Sequence, residues 1–323
     1  MRKVRQKQPQ KTQGKAPVSL ASLLFFPYLT VLLLIVGLSL LTYPTAASWL
    51  SQYNQTSITK TYENSVRNAI PDGEEQLEAA RTYNAALSSG ALVARNERLP
   101  QATGNLDEIT TADGRTWRYE DILSAGKENT MARIRIDKID VDLPIYHGTT
   151  EETLLKGAGH LKGTSFPVGG TSTRAVITAH RGLANATMFT DLDKIVVGDT
   201  FTIETFDQVL TYKVISTEVV EPEDSQAIRA EEGRDLVTLV TCTPLGINSH
   251  RILVTGERII PTPAKDLANA GKASDLPRFP WWAIAYVAVV VAAVVILARH
   301  THKCRKYVAA VKAKTTENTS EDS

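Results

Sequence analysis

The sequence predicts a mainly β-sheet domain held between two membrane-spanning helices. Two stretches without a charged residue, 18–43 and 281–298, frame the central part of the 323-residue chain. Between them, residues 131–260 hold short runs rich in valine, isoleucine and threonine, separated by glycine and aspartate. Runs of this kind are typical of strands, and several in succession predict a sandwich or a closed barrel.

Both uncharged stretches are long enough to cross a bilayer as helices, which takes about 20 apolar residues. Aromatic residues beside them, including Tyr43, Trp49 and Trp281, suit the interfacial belts of a membrane protein. The first stretch also fits a cleaved signal peptide, although its apolar run exceeds the roughly 7–15 residues usual there. The second also fits a buried helix, although it has no polar face.

Basic residues set the expected topology. Six Lys or Arg residues precede the first stretch and six follow the second. Because basic residues concentrate on the cytoplasmic side, we expect both termini in the cytoplasm and the middle of the chain outside the cell membrane. That middle, residues 44–280, carries 24 basic and 32 acidic residues. Such an acidic domain argues against a nucleic-acid partner, which requires a basic face.

Residues 44–130 differ in composition from the β region, since they are polar and helix-prone. Apolar residues at helical spacing predict a helix over 74–90, with Gly90 as its end. Residues 91–130 carry turn-forming residues with little periodicity, which predicts a long loop with short turns.

These patterns predict the positions of the strands and the division of the chain into segments. The predicted strands lie within 132–146, 174–179, 200–206, 210–216, 236–241 and 251–259. The predicted segments are a cytoplasmic basic tail (1–17), a transmembrane helix (18–43), a helical N-terminal region (44–130), the β domain (131–262), a linker (263–280), a second transmembrane helix (281–298) and a basic, disordered cytoplasmic tail (299–323).

Cys242 is the one cysteine between the two apolar stretches. It directly follows the run 236–241, and Pro244 comes two positions later, so we expect it at a strand end. A lone cysteine in an exported domain is a reactive thiol, an intermolecular disulfide partner or an inert core residue. Two cysteines without a CxxC pair exclude a disulfide-rich scaffold and such a zinc site, and no metal or other cofactor is expected.

A cysteine nucleophile needs a cation or a base beside it. His180 follows the run 174–179, and two strand ends at the same barrel edge would bring it to Cys242. Arg251 begins the run after a turn-rich loop, so a hairpin would place it on the strand beside Cys242, where a guanidinium can stabilise an oxyanion. Taken singly, His180 also fits a structural histidine, and Arg251 fits an exposed arginine at a strand end.

Together the motifs resemble those of the sortase family. TLVTCTPLGINSHRILVTGER (238–258) is similar to the sortase active-site signature, in which an arginine follows the cysteine by nine residues, and AVITAHRG (175–182) resembles the segment with the family's histidine. DLPIYHGTTEETLLKGAGHLKGTSFPVGG (142–170), LSQYNQTSITKTYENSV (50–66) and YNAAL (83–87) resemble class C, the pilus-assembling sortases of Gram-positive bacteria.

The resemblance covers about residues 44–260 and implies a closed eight-stranded β-barrel with N-terminal helices. It implies a membrane-anchored cysteine transpeptidase of the hydrolase class that cuts LPxTG-type sorting signals between Thr and Gly. Cys242 would be the nucleophile, His180 the acid and base, and Arg251 the oxyanion or substrate-positioning group. The implied partners are pilins or surface proteins with such signals, and a pilin lysine would be the amine acceptor.

One feature departs from the class C pattern. Members usually carry an inhibitory lid with an Asp-Pro-aromatic motif, but residues 91–130 contain no Asp-Pro pair. Trp117 is the candidate lid residue, and residues 91–125 are expected to cover the site loosely. A plain surface loop is the alternative.

Three other functions stay open at this point. The chain would be a sortase that attaches proteins to peptidoglycan if the acceptor were a wall amine. It would be a cysteine peptidase if water outcompeted the amine. It would be a catalytically silent, membrane-tethered adhesin if the site were inactive, although the intact set of Cys242, His180 and Arg251 argues against that.

Overall fold

The computed structural model describes residues 20–94 and 107–321, which form two compact units. One unit contains the apolar segments up to Tyr43 and from Pro280 onward, and the other is Pro44–Phe279. The first and last helices each contain a window of mean hydropathy 2.5, so by length and composition both could cross a membrane.

The described chain contains five α-helices. They are α1 (Leu20–Arg67), α2 (Gly73–Ala94), α3 (Glu151–Lys156), α4 (Ala264–Asn269) and α5 (Trp281–Glu321). The outer part of α1 buries five residues at helical spacing, Gln55, Thr56, Thr59, Tyr62 and Val66. The Tyr62 hydroxyl donates to the carbonyl oxygen of Met131 at 2.8 Å, so this part of α1 is built into the β domain.

Two helix ends differ from the sequence-based expectation. Helix α2 does not end at Gly90 but continues to Ala94. A glycine inside a helix costs only about 1 kcal/mol relative to alanine, and the Ala-Leu-Val-Ala run that follows contains no helix breaker. Helix α5 continues through Glu321, where the sequence predicts a disordered tail. Extending an existing helix avoids the cost of nucleation, so a polar tail can remain helical.

The described chain contains ten strands. They are β1 (Glu108–Thr110), β2 (Thr116–Arg118), β3 (Ala132–Ile136), β4 (Val141–His147), β5 (Ala158–His160), β6 (Thr173–Thr178), β7 (Thr200–Thr205), β8 (Gln208–Val220), β9 (Asp235–Thr243) and β10 (His250–Arg258). Strands β1 and β2 form a hairpin where the sequence predicts a loop. Gly114 makes this tight turn possible, because its φ of +84° is unfavourable for other residues.

The other eight strands close into a barrel in the order β10-β8-β7-β3-β4-β5-β6-β9, which confirms the predicted fold. Side chains such as Ile134, Ile203, Leu239 and Val254 are fully buried in its core. Closure leaves no free strand edge and gives the loops at each end a rigid base.

The strand order brings distant segments to one edge of the barrel. Strands β6 and β9 run parallel, with Thr178 opposite Val240, although 62 positions separate these residues. Strand β10 is antiparallel to β9. Because parallel strands end at the same edge, the residues after β6, the end of β9 and the start of β10 lie close together.

Candidate active site

Cys242 is the penultimate residue of β9. Pro244 follows the strand directly, and its missing N–H prevents continuation of the ladder. The thiol is free and half-buried. The sulfur is therefore at the end of a strand, as the sequence predicts, and is not sealed inside the barrel.

Arg251 is the direct partner of Cys242 across the β9–β10 hairpin, which confirms the predicted pairing. Side chains of directly opposed residues lie on the same face of a sheet, so the guanidinium and the thiol share a face. Nη1 of Arg251 donates to the carbonyl oxygens of Asn248 at 2.9 Å and His250 at 3.0 Å. These bonds hold the guanidinium against the hairpin loop.

His180 lies two residues beyond the end of β6. The Ala179 N–H donates to the Val240 carbonyl oxygen at 3.2 Å, so the ladder between β6 and β9 continues past the formal strand end. Continued for two more residues on each strand, the register from Thr178 opposite Val240 places His180 level with Cys242. The three site residues come from the end of β9, the start of β10 and the segment after β6, and are thus brought to one edge.

The His180 side chain is 20% exposed, and its Nε2 lies 3.4 Å from Oε1 of Glu151, the first residue of α3. This contact lacks hydrogen-bond geometry, and no group in the described part of the chain hydrogen-bonds to Nε2. Nε2 is therefore a buried nitrogen that lies beside a carboxylate and has no hydrogen-bond partner among the described residues.

The other histidines of the β domain have different environments. His160 is fully buried between the Tyr119 hydroxyl, 2.8 Å from Nδ1, and the Ser165 carbonyl oxygen, 2.9 Å from Nε2. Burial lowers its pKa to about 3. Burial also lowers the pKa of His147, whose Nε2 lies 2.7 Å from the Ile122 carbonyl oxygen. His250 is exposed, beside Ser249.

Trp117 lies on β2, and its side chain is taken up by the hydrophobic core. The guanidinium of Arg115 sits 4.9 Å from the centre of the indole ring and pairs with Glu75 on α2. Part of the predicted lid, residues 95–106, falls outside the described residues. The lid therefore stays a prediction.

Sequence reasoning did not assign roles to three residues that contact the site. Glu151 approaches His180, and Arg181 donates from Nη1 to the Thr243 hydroxyl at 3.0 Å. Arg181 and Thr243 each follow a candidate site residue directly, which is the only signal that the sequence offers for them.

Comparison with known proteins finds relatives of the β domain. Residues 134–259 match the Sortase domain family. Sortase D of Bacillus subtilis (strain 168) is 28% identical over 129 residues, which are 39% of this chain and 62% of that protein. Sortase A of Bacillus anthracis is 28% identical over 142 residues, 44% of this chain and 65% of that protein. The chain thus spans slightly less than two thirds of these curated relatives.

Solved structures match a larger share of the chain. Streptococcus agalactiae sortase C1 is 38% identical, with a TM-score of 0.53, and the match covers 67% of this chain and 100% of that one. Streptococcus pneumoniae sortase C is 36% identical, with a TM-score of 0.51, and covers 63% of this chain and 96% of that one. From the barrel, its strand-end cysteine and these matches together, the chain belongs to the sortase family, in class C.

Proposed function

We propose that this protein is a membrane-anchored cysteine transpeptidase that cleaves LPxTG-type sorting signals between Thr and Gly and joins the acyl group to a pilin lysine. The observation that carries the proposal is the half-buried thiol of Cys242 opposite Arg251, with His180 just beyond the end of the neighbouring strand β6, at the same level as Cys242. A nucleophile, a proton carrier and a group that stabilises the oxyanion are the three parts that acyl transfer uses, and a guanidinium can be the third.

In the first half-reaction the Cys242 thiolate attacks the carbonyl carbon of threonine in the sorting signal. Arg251, on the same face of the hairpin, stabilises the negative charge that develops on the carbonyl oxygen. Protonated His180 gives its proton to the departing glycine amine, which breaks the Thr–Gly bond and leaves a thioester on Cys242.

In the second half-reaction an amine attacks the thioester. Neutral His180 takes a proton from the attacking nitrogen, so that the tetrahedral intermediate collapses with the Cys242 sulfur as the leaving group. An amide forms between threonine and the acceptor, and the thiolate is regenerated for the next cycle. With a lysine side chain as acceptor, the product is an isopeptide bond between two protein chains.

A pilin is the favoured acceptor because of the relatives. One similar structure is a sortase C1 from a pilus island of group B Streptococcus, 38% identical with a TM-score of 0.53. The pneumococcal sortase C structure is described as giving insight into pilin substrate specificity. Both are class C enzymes, and this class supports a polymerising role over attachment to peptidoglycan.

The proposed topology places both termini in the cytoplasm and the β domain outside the cell. Two hydrogen bonds link the apolar helices, from Tyr28 to Thr301 at 3.3 Å and from Ser39 to Tyr286 at 2.8 Å. The earlier residue on α1, Tyr28, pairs with the later residue on α5, Thr301, and the later one on α1 pairs with the earlier one on α5. The two helices therefore run antiparallel. This supports termini on one side, and their basic flanks favour the cytoplasmic side.

The function is tested with the full-length protein in membranes, supplied with a pilin that ends in a sorting signal. Cys242→Ala is expected to abolish the covalent pilin ladder on denaturing gels. Cys304→Ser is the matched control, because it removes the other free cysteine, and it should leave the ladder intact. A ladder that persists in Cys242→Ala contradicts the proposal. Transfer to a wall amine instead of lysine would indicate peptidoglycan anchoring, and lost adhesion with an intact ladder would indicate a binding module.

The lid is a second part of the proposal. Residues 91–125 would cover Cys242 and slow its reaction with reagents from solvent. Replacing residues 95–106 by a Gly-Ser linker of equal length preserves α2 and the β1–β2 hairpin. In a Cys304→Ser background we expect severalfold faster labelling of Cys242 by a thiol reagent, and unchanged labelling contradicts the lid.

A further inference from the structure

We propose that Arg181 is a positioning residue, which holds His180 at the level of Cys242 through a hydrogen bond to Thr243. We call the contacts of Arg181 with Thr243, Thr190 and Asp193 the clamp. Its effect on catalysis rests on the proposed function, but the clamp itself is a property of the fold. It is built from the three contacts of one buried guanidinium.

The side chain of Arg181 is 7% exposed, and each of its three nitrogens has a partner. Nε donates to the Thr190 carbonyl oxygen at 3.0 Å, and Nη1 donates to the Thr243 hydroxyl at 3.0 Å. Nη2 lies 2.7 Å from Oδ2 of Asp193. Two of these partners belong to the loop that carries His180, and the third is on β9.

The loop that carries His180 is itself firmly held. The Phe189 N–H donates to the His180 carbonyl oxygen at 3.0 Å, and the Gly182 N–H donates to the Thr190 hydroxyl at 3.1 Å. Phe189 and Leu192 are fully buried. The guanidinium therefore connects a rigid loop to the strand of Cys242.

The Arg181–Thr243 bond completes a bracket around the two reacting groups. Arg181 and Thr243 come one residue after His180 and Cys242. One residue before them, the Thr241 hydroxyl donates to the Ala179 carbonyl oxygen at 2.8 Å. The bracketing residues therefore precede and follow His180 and Cys242 in each segment. Because neighbouring side chains of a strand point to opposite faces, the threonine hydroxyls lie away from the thiol and leave its face open to substrate.

Arginine is suited to this role by its geometry. Its planar guanidinium presents five N–H donors in fixed directions, whereas lysine offers one point charge on a flexible chain. Asp193 compensates the buried positive charge of Arg181. Lysine at position 181 would keep the charge but could not serve Thr190, Thr243 and Asp193 in one plane.

Small errors in position are costly in catalysis, since a misplacement of about 1 Å can lower a rate 10²-fold. For the full-length enzyme with a sorting-signal peptide, we expect Thr243→Val and Arg181→Lys to lower kcat by about 10-fold to 100-fold. KM should change less than about twofold, because neither change touches the face open to substrate. Thr255→Val, which removes a buried hydroxyl on β10 that pairs with Thr238 at 3.1 Å, should leave both constants unchanged.

A second measurement reads the position without any substrate. In a Cys304→Ser background, His180→Cys places a thiol beside Cys242, and a disulfide forms only when the Cα atoms lie about 4.4–6.8 Å apart. We expect rapid disulfide formation with oxidised glutathione, and formation several times slower when Thr243→Val or Arg181→Lys is added. Thr255→Val should not slow it.

The two readouts separate the clamp from the proposed function. If the parent enzyme cleaves no sorting peptide but the clamp variants slow the disulfide, the clamp stands and the function fails. If the parent cleaves the peptide and the clamp variants leave disulfide formation unchanged, the clamp is overturned whatever happens to kcat. A slower disulfide with unchanged kcat would overturn its catalytic role.

Discussion

Two regions of the same barrel give a histidine opposite environments, one buried and fully hydrogen-bonded, the other partly exposed with a nitrogen unpaired among the described residues. His160, the last residue of β5, is fully buried, and both of its ring nitrogens have partners, the Tyr119 hydroxyl and the Ser165 carbonyl oxygen. Its ring stacks on Phe166 with 5.1 Å between centroids. His180, beyond the end of β6, is partly exposed, and none of the described residues hydrogen-bonds to its Nε2.

The difference separates a histidine that stabilises the fold from the histidine that we propose as acid and base. A buried ring with both nitrogens bonded is held neutral, and burial lowers the pKa of His160 to about 3. Such a ring exchanges no proton near neutral pH. Buried polar groups are nearly always satisfied, and Nε2 of His180 is one of six buried side-chain atoms in the described residues that have no hydrogen-bond partner. Of these six, it is the one on the segment whose register reaches Cys242.

The largest effect is expected at His180. His180→Gln keeps a polar side chain of similar size but cannot shuttle a proton, so the rate of peptide cleavage should fall about 10²-fold to 10⁴-fold. The midpoint of thermal unfolding should stay unchanged, since no fold-stabilising hydrogen bond from Nε2 is lost. Cleavage within tenfold of the parent rate would remove the distinction between the two histidines.

The opposite result is expected at His160. His160→Phe keeps the stacked ring but leaves the Ser165 carbonyl oxygen without its partner, so the free energy of unfolding near pH 7.5 should fall by about 1–3 kcal/mol. Cleavage per folded molecule should be retained, because His160 does not touch the site.

The same substitution should change the response to acid. Between pH 6.5, the ordinary pKa of the ring, and about 3, its folded value, the unfolded protein binds a proton that the folded protein does not. Lowering the pH through this window therefore destabilises the parent, and His160→Phe should lose that part of the slope. His147 titrates in both proteins, so the difference isolates His160. Parallel curves of unfolding midpoint against pH would contradict the assignment.

The smallest effect is expected at Glu151. Its carboxylate lies 3.4 Å from His180 Nε2 but is 74% exposed, and exposed ion pairs contribute only about 0.2–1 kcal/mol. Glu151→Gln should therefore lower kcat/KM about twofold to fivefold, and the difference should disappear in high salt. A loss above tenfold, or one that persists in salt, would make Glu151 part of the reaction itself.

The sequence was enough to predict the local features of this fold, namely strand positions and the hairpin at the site. Runs of β-branched residues located most of the barrel strands, and the turn-rich loop before Arg251 was enough to predict its pairing with Cys242. Strand β5 was missed because Ala158–His160 is too short to show a pattern. The β1–β2 hairpin was missed for the same reason, since each strand has three residues.

The pairing of strands that are distant in the sequence could not be predicted from local patterns. Nothing local to Thr178 or Val240 shows that they are neighbours, and this parallel pairing is what places His180 beside Cys242. The family resemblance supplied that step. The clamp was also invisible, because Arg181 and Thr243 come together only after β6 and β9 are paired.

Helix α1 has a practical consequence for crystallising the enzyme without its apolar segments. The helix runs unbroken from Leu20 to Arg67, yet its residues up to Tyr43 belong to one unit and those from Pro44 to the other. A water-soluble truncation that starts after the helix would discard Tyr62 and expose the surface beneath it. The cut belongs between Pro44 and Gln55, the first of the buried residues.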